Sequence, residues 1–289
     1  MESRGGRRLW PERWPAKAFI FDVDGTLIVA EDADWSGAHP LPGAIELLTW
    51  LRRAGYPFAL FTNGSTRPQA AYAARLREVG LPVEDWQVIT PGVTAAEIIA
   101  HDYPGRAVLV LGGEGVRAPL EGRGVPIVDA PDAEHAGVVL VGWDSALTYG
   151  QLEGACRAVW NGADLLVTSP APVFVTKHGL RPGWSSAVAA AITSITGKPA
   201  RVTGKPAPES LLAVARMLNL ATEELVVVGD DLELEVRMGR AAGSTTVLVQ
   251  TGKSTRTGEQ TDVPDISVST LTELLALLEP VGSPGSNAL

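Results

Sequence analysis

The chain has 289 residues, with 24 Lys plus Arg against 33 Asp plus Glu, and a formal charge of −9. Its 45% hydrophobic and 20% charged residues are those of a globular protein, neither disordered nor fibrous, and the acidic balance argues against a nucleic-acid partner, which needs a basic face. The single cysteine, Cys156, excludes an intrachain disulfide and speaks against a cysteine zinc site; no apolar run approaches the ~18 residues of a membrane span.

Short apolar runs alternate with longer amphipathic ones. The first strand is expected over 18–23. A helix follows over 43–54, where Ile45, Leu48 and Leu51 recur at helical spacing and Gly55 stops it. A strand over 58–61 leads to a helix over 68–79. Further strands are expected at 107–111, 138–141, 165–168, 225–228 and 245–249, with helices between most of them. This alternation means βαβ units and a mainly parallel sheet, an α/β fold. No fixed-period repeat, low-complexity tract or Gly/Ser linker divides the chain. The basic N-terminus lacks the apolar segment of a secretory signal, so the expected setting is cytoplasmic. Residues 1–16 and 281–289 read as flexible ends.

Four segments carry chemistry. An apolar strand runs into Asp22 and Asp24, two carboxylates two residues apart, at the strand end where parallel sheets bind ligands. They stay ionised most easily with a divalent cation between them, and Gly25 permits a sharp turn after the pair. An EF-hand calcium loop is excluded by Thr26 and Leu27, which occupy the fifth and sixth positions. The second segment ends its strand in Thr62, Asn63 and Gly64, where a hydroxyl and backbone N–H groups suit an anion. The third, Gly204-Lys205-Pro206, places a cation just before a helix. The fourth ends a buried strand in Gly229, Asp230 and Asp231. For each, a plainer reading exists: a capped turn, a polar loop, a solvated lysine, a helix cap.

Taken together, DVDGT, a strand ending in Thr, then Lys, then GD resembles the haloacid dehalogenase-like (HAD) superfamily of phosphatases over almost the whole chain. GKPAPE, with Val141-Gly142-Trp143-Asp144 and Leu147-Thr148-Tyr149, looks like its NagD-like branch, which also holds 4-nitrophenyl, phosphoglycolate and pyridoxal phosphate phosphatases. The resemblance implies a Rossmann-like core over 17–80 and 203–280 with a large α/β cap inserted at 81–202. It implies Asp22 as nucleophile, forming an aspartyl-phosphate, and Asp24 as general acid and base. Thr62 and the Asn63 backbone would hold phosphoryl oxygens beside Lys205, and Mg²⁺ would be held by Asp22, the Asp24 carbonyl and Asp230. The substrate class it implies is a small phosphorylated metabolite, such as a sugar phosphate, phosphoglycolate, glycerol phosphate, nucleotide or pyridoxal phosphate. A homodimer through the cap is a further expectation.

The chain departs from the family pattern in three places. Ser169-Pro170-Ala171 stands where Asn-Pro-Asp is frequent. Glu235 stands where an Asp is usual, and its longer side chain puts only an outer-shell role at the metal in question. Asp231 stands where Arg or Asn is common and adds charge near it. The candidate substrate contacts in the cap are Trp143, His178 and Arg181, with Asp144, Lys177 and Trp184 beside them. Trp143 and Trp184 also read as packing residues. Cys156 reads as a small buried apolar residue.

Two rivals come from other classes. Gly113-Glu114-Gly115-Val116-Arg117-Ala118 after the strand over 107–111, with Asp129 beyond, matches a dinucleotide-binding oxidoreductase. Glu114 opposes a pyrophosphate there, and Pro119 is expected to break the helix early. Nicotinamide or flavin absorbance would reveal that activity. A non-catalytic phosphometabolite-binding protein is the second, and turnover of an aryl phosphate eliminates it.

Overall fold

The computed structural model describes residues 16–32, 35–176, 179–251 and 263–279. Lys177, His178 and nearly all of the two expected flexible ends lie outside the described residues.

The described strands are β1 (Ala18–Phe21), β2 (Ile28–Val29), β3 (His39–Pro40), β4 (Phe58–Phe61), β5 (Val88–Ile89), β6 (Ala107–Leu111), β7 (Ile127–Val128), β8 (Ala136–Val141), β9 (Asp164–Val167), β10 (Val173–Thr176), β11 (Gly179–Pro182), β12 (Arg201–Val202), β13 (Leu225–Gly229), β14 (Thr245–Val249) and β15 (Ile266–Val268). The helices are α1 (Ala44–Ala54), α2 (Gln69–Glu78), α3 (Pro91–Asp102), α4 (Glu114–Gly122), α5 (Tyr149–Trp160), α6 (Trp184–Thr196), α7 (Pro208–Leu218), α8 (Arg237–Ala241) and α9 (Leu271–Leu278).

Among the described residues a six-stranded sheet runs β15-β14-β13-β1-β4-β5, parallel throughout. β1, β4, β5 and β13 are buried on both faces, as parallel strands covered by helices must be. Alternation sorts the side chains. Phe19, Phe21, Phe58, Leu60, Val226 and Val228 join Leu47, Leu48 and Leu51 of α1 and Leu271 and Leu274 of α9. Ala18, Ile20, Ala59, Phe61, Leu225 and Val227 join Leu211 and Val214 of α7 on the other face.

A second sheet, β12-β9-β8-β6-β7, is also parallel. One face packs on α3 and α4. The other packs on α5 and α6, where Cys156 is buried. The first sheet draws on 18–89 and 225–268 and the second on 107–202. Because β5 pairs with β4, the first sheet extends to Ile89, beyond the division at 80 drawn from sequence. The two-residue strand carries no periodicity that could have revealed it. Helix α3 then bridges the sheets: Ala95, Ile98 and Ile99 pack on β6, β8 and β9, and on Ala213 of α7. Pro119 lies inside α4, and the helix continues to Gly122 instead of breaking.

The order β13-β1-β4 fixes where ligands bind. The chain leaves β1 toward β4 on one side and returns to β13 on the other, so connections diverge at the carboxyl ends of β1 and β13. Such a switch point opens a crevice.

Candidate active site

Asp22 follows β1 directly, and its N–H still donates to the Val228 carbonyl of β13 at 2.8 Å. Both carboxylate oxygens are engaged. Oδ2 lies 3.1 Å from the Thr26 hydroxyl, and that hydroxyl is also 3.3 Å from Asp230 Oδ1, so one O–H spans two carboxylates. Asp22 and Asp230 are both buried. The turn that brings them together depends on Gly25. Its φ is +91°, and a Cβ there would lie 2.5 Å from Asp230 Oδ2.

The other Asp22 oxygen, Oδ1, accepts from Lys205 Nζ. The same ammonium donates to Glu235 Oε1 at 2.7 Å and lies 5.6 Å from the Phe61 ring centroid. Lys205 and Glu235 are each 2% exposed. Burial works to lower the Lys205 pKa, but Asp22 and Glu235 together raise it above the ordinary lysine value, so the cation persists. Burial pushes the Glu235 carboxyl above the usual carboxylate range, against the pull of Lys205.

Glu235 reaches Lys205 through a single π-helical turn, Leu232–Val236. A Cβ on Gly229 would sit 2.2 Å from Glu235 Cγ, so only glycine lets the side chain pass the end of β13. Asp231 faces elsewhere: its Oδ1 accepts from the Glu233 and Leu234 N–H groups at 2.8 and 3.3 Å. It caps the turn that follows β13.

Thr62 and Asn63 hold the β4 loop in place. The Thr62 hydroxyl oxygen accepts from Gly64 N–H at 3.0 Å and lies 3.5 Å from Asp24 Oδ2. The Asn63 side chain exchanges two hydrogen bonds with the Lys205 backbone, at 3.1 and 3.2 Å. The β4 and Lys205 segments are thereby joined.

Asp24 has a partner that the motif alone does not show. Trp35 Nε1–H donates to its Oδ1 at 2.6 Å. Asp24 opens toward the cleft, yet the protein around its carboxyl, and then the neighbouring Asp22 charge, push its pKa up to about 6. Trp35, Lys205 and Thr62 pull the other way. Trp35 is 3% exposed and adopts φ 62°, a left-handed conformation that costs a bulky residue about 1–2 kcal/mol.

The site thus holds Asp22, Asp24, Asp230 and Glu235 against one Lys, a surplus of negative charge. Among the described residues no three Asp, Glu, His or Cys side chains form a ready chelate. The pair that faces one point is Asp22 with Asp230, joined by Thr26. Two buried like charges and an all-oxygen donor set fit a hard divalent cation.

The expected cap contacts are not joined to these side chains. Trp143 is 37% exposed after β8, and its carbonyl accepts the Gly113 N–H at 3.1 Å. Arg181 is exposed on β11, opposite Phe174. No hydrogen bond or ion pair among the described residues ties either to Asp22, Asp24, Thr62 or Lys205. Trp184 packs against the second core. Gly113 caps α4, and Asp129 lies 3.9 Å from Arg117. An apolar hollow of about 520 Å³ beneath α2, α3 and α7 contains none of the site residues.

Comparison with known proteins agrees with this geometry. The model for haloacid dehalogenase-like hydrolases matches residues 19–126, and a second model of HAD-hydrolase-like type matches 202–274. An acid sugar phosphatase of Staphylococcus aureus is 31% identical over 265 residues, spanning 91% of this chain and 98% of that protein. The crystal structure of a 4-nitrophenylphosphatase from Thermotoga maritima is 30% identical with a TM-score of 0.77, covering 91% of this chain and 97% of that one. NagD from E. coli K-12 is 25% identical with a TM-score of 0.78, covering 89% and 98%. No described helix is long and apolar enough to cross a membrane.

Proposed function

Because the chain belongs to the haloacid dehalogenase-like hydrolase family and is a phosphatase of its NagD-like branch, we propose that Asp22 is the nucleophile in hydrolysis of a small phosphorylated metabolite. The observation that carries this is the meeting of Asp22, Asp24, Thr62, Lys205 and Asp230 where β1, β4 and β13 end. Lys205 and Thr26 hold the two Asp22 oxygens, so the carboxylate has one orientation from which to attack phosphorus in line. The P–O bond to the leaving group breaks as the aspartyl-phosphate forms. Asp24, with its carboxyl near 6, protonates the departing oxygen and then takes a proton from the water that releases phosphate. The Thr62 hydroxyl and the Lys205 ammonium receive phosphoryl oxygens.

Asp22, Asp230 and the Asp24 carbonyl are the residues to hold Mg²⁺, which would offset the repulsion between a carboxylate and a phosphate dianion. The second sheet and its helices, with the β10–β11 hairpin, form the cap that reads the organic part of the substrate through Trp143, His178 and Arg181. The cap also supplies a homodimer surface. The names of its relatives direct the substrate search to sugar phosphates first, with 4-nitrophenyl phosphate as reporter. The test is phosphate release by purified protein from these and other phosphorylated metabolites with Mg²⁺. Turnover of several, with one sugar phosphate far ahead, supports the reading; no turnover of any rejects it.

A further inference from the structure

We infer that Trp35 is a positioning residue for the Asp24 proton transfer: it fixes which carboxyl oxygen delivers the proton. The inference rests on Asp24 being the acid. Indole nitrogen only donates, so the bond from Trp35 Nε1–H to Asp24 Oδ1 has one direction. Oδ1 is thereby kept as an acceptor. The carboxyl proton belongs on Oδ2, which accepts the Thr62 O–H at 3.5 Å: a hydroxyl can turn and accept where an indole cannot, and this oxygen is on the side expected to receive the phosphoryl group. Without the indole, the carboxyl is free to turn and present either oxygen.

The surroundings of Trp35 hold it to this task. Its backbone sits at φ 62°, in a loop closed by the Trp35 N–H on the Asp32 carbonyl at 2.9 Å and the Glu31 N–H on the Ser36 carbonyl at 3.1 Å. Its ring packs on Tyr72, with centroids 4.8 Å apart, and the Tyr72 hydroxyl meets Thr66 at 3.0 Å. Tyr72 and Trp35 are both buried in the first core. A strained backbone for a bulky residue, kept at a hydrogen bond to a reacting group, is the pattern of a functional constraint. Ring packing alone would not require the N–H to end on the carboxylate.

The experiment compares Trp35→Phe, which keeps an aromatic ring on Tyr72 while removing the donor and part of the ring volume, with Asp24→Asn and the double variant. The substrates run from phenyl phosphate to 4-nitrophenyl phosphate, and kcat/KM reports the step in which the leaving group departs. A phenolate needs the proton more than a nitrophenolate does. We expect Trp35→Phe to lose about tenfold more on phenyl phosphate than on 4-nitrophenyl phosphate, in the same sense as Asp24→Asn but less, and to add nothing in the Asp24→Asn background. An equal loss on all substrates, or none, overturns the role of Trp35 while Asp24→Asn retains its selectivity. If Asp24→Asn itself shows no such selectivity, the reading of Asp24 as the acid fails instead. Should Trp35→Phe not fold, the indole N–H resonances of the wild type and Asp24→Ala decide. One of the eight tryptophans should have a downfield resonance that moves upfield in the variant; an unchanged set of indole resonances overturns the inference.

Discussion

Replacing Lys205 by Met keeps the length of the side chain and removes the charge that joins Asp22 to Glu235. Both carboxylates are buried, and in the wild type each accepts from Nζ. Removing one partner of a buried ion pair leaves the other without compensation and costs about 3–5 kcal/mol. The cost should depend on pH, and its sign follows from linkage. Burial already holds the Glu235 carboxyl above its unfolded value, and Lys205 is the group that lowers it. Without Lys205 the folded pKa climbs further. A carboxyl with a raised folded pKa contributes its full stability below the unfolded value and loses it as pH rises toward the folded one. Lys205→Met should therefore trail the wild type by a constant amount up to about pH 8, where the wild-type Glu235 ionises, and fall further behind from there to about pH 10. The assay is urea unfolding in excess chelator across that range, for Lys205→Met, Glu235→Gln and the double variant. Glu235→Gln in the Lys205→Met background should recover about 1–3 kcal/mol at the alkaline end. A pH-independent loss, or a double variant no more stable than Lys205→Met, refutes the argument.

Other outcomes follow from the same geometry. Chelator should abolish phosphatase activity and Mg²⁺ restore it, while Ca²⁺ should bind with little turnover because its larger, looser shell misplaces the nucleophile; full activity in chelator counts against the metal. Gly25→Ala meets both a φ of +91° and a Cβ 2.5 Å from Asp230. It should cost about 1–3 kcal/mol in thermal unfolding and weaken Mg²⁺ affinity in calorimetry. Trp143→Ala and Arg181→Ala should reorder a panel of substrates without altering the metal requirement; a uniform drop across the panel would make the cap a lid and nothing more.

Much of this was legible in the chain, because the longer apolar strands end directly in polar residues. β1, β4 and β13 carry unbroken buried runs into Asp22, Thr62 and Asp230, so the strand end and the chemistry are adjacent in sequence. β2, β3, β5, β7 and β12 are two residues each and carry no period to read. The continuation of α4 past Pro119 shows tertiary packing overriding a local breaker. The contacts that organise the site join distant residues. For Glu235 the sequence left an outer-shell place at the metal open; its ion pair with Lys205, 30 positions away and set by the π-helical turn, could not be read there. Asp231 was read as added charge near the metal; that its side chain satisfies two backbone amides is visible only in the fold. Trp35 lies in a loop without periodicity, so only the folded chain shows its N–H on Asp24. Thr26 stood in the motif itself, and its hydroxyl between two carboxylates was the one signal that closer attention to DVDGT could have drawn out.

The central claim is that Asp22 carries the phosphoryl group during turnover, and an acid quench tests it most directly. The purified enzyme is mixed with ³²P-labelled substrate and Mg²⁺, stopped in acid within the first turnovers, and digested. The account predicts a hydroxylamine-labile label on the peptide containing Asp22. The label should accumulate further in Asp24→Asn, where the water is no longer deprotonated, and vanish in Asp22→Asn with the fold intact. A wild type that turns over without ever carrying label, or an Asp22→Asn variant that still becomes labelled, would contradict it.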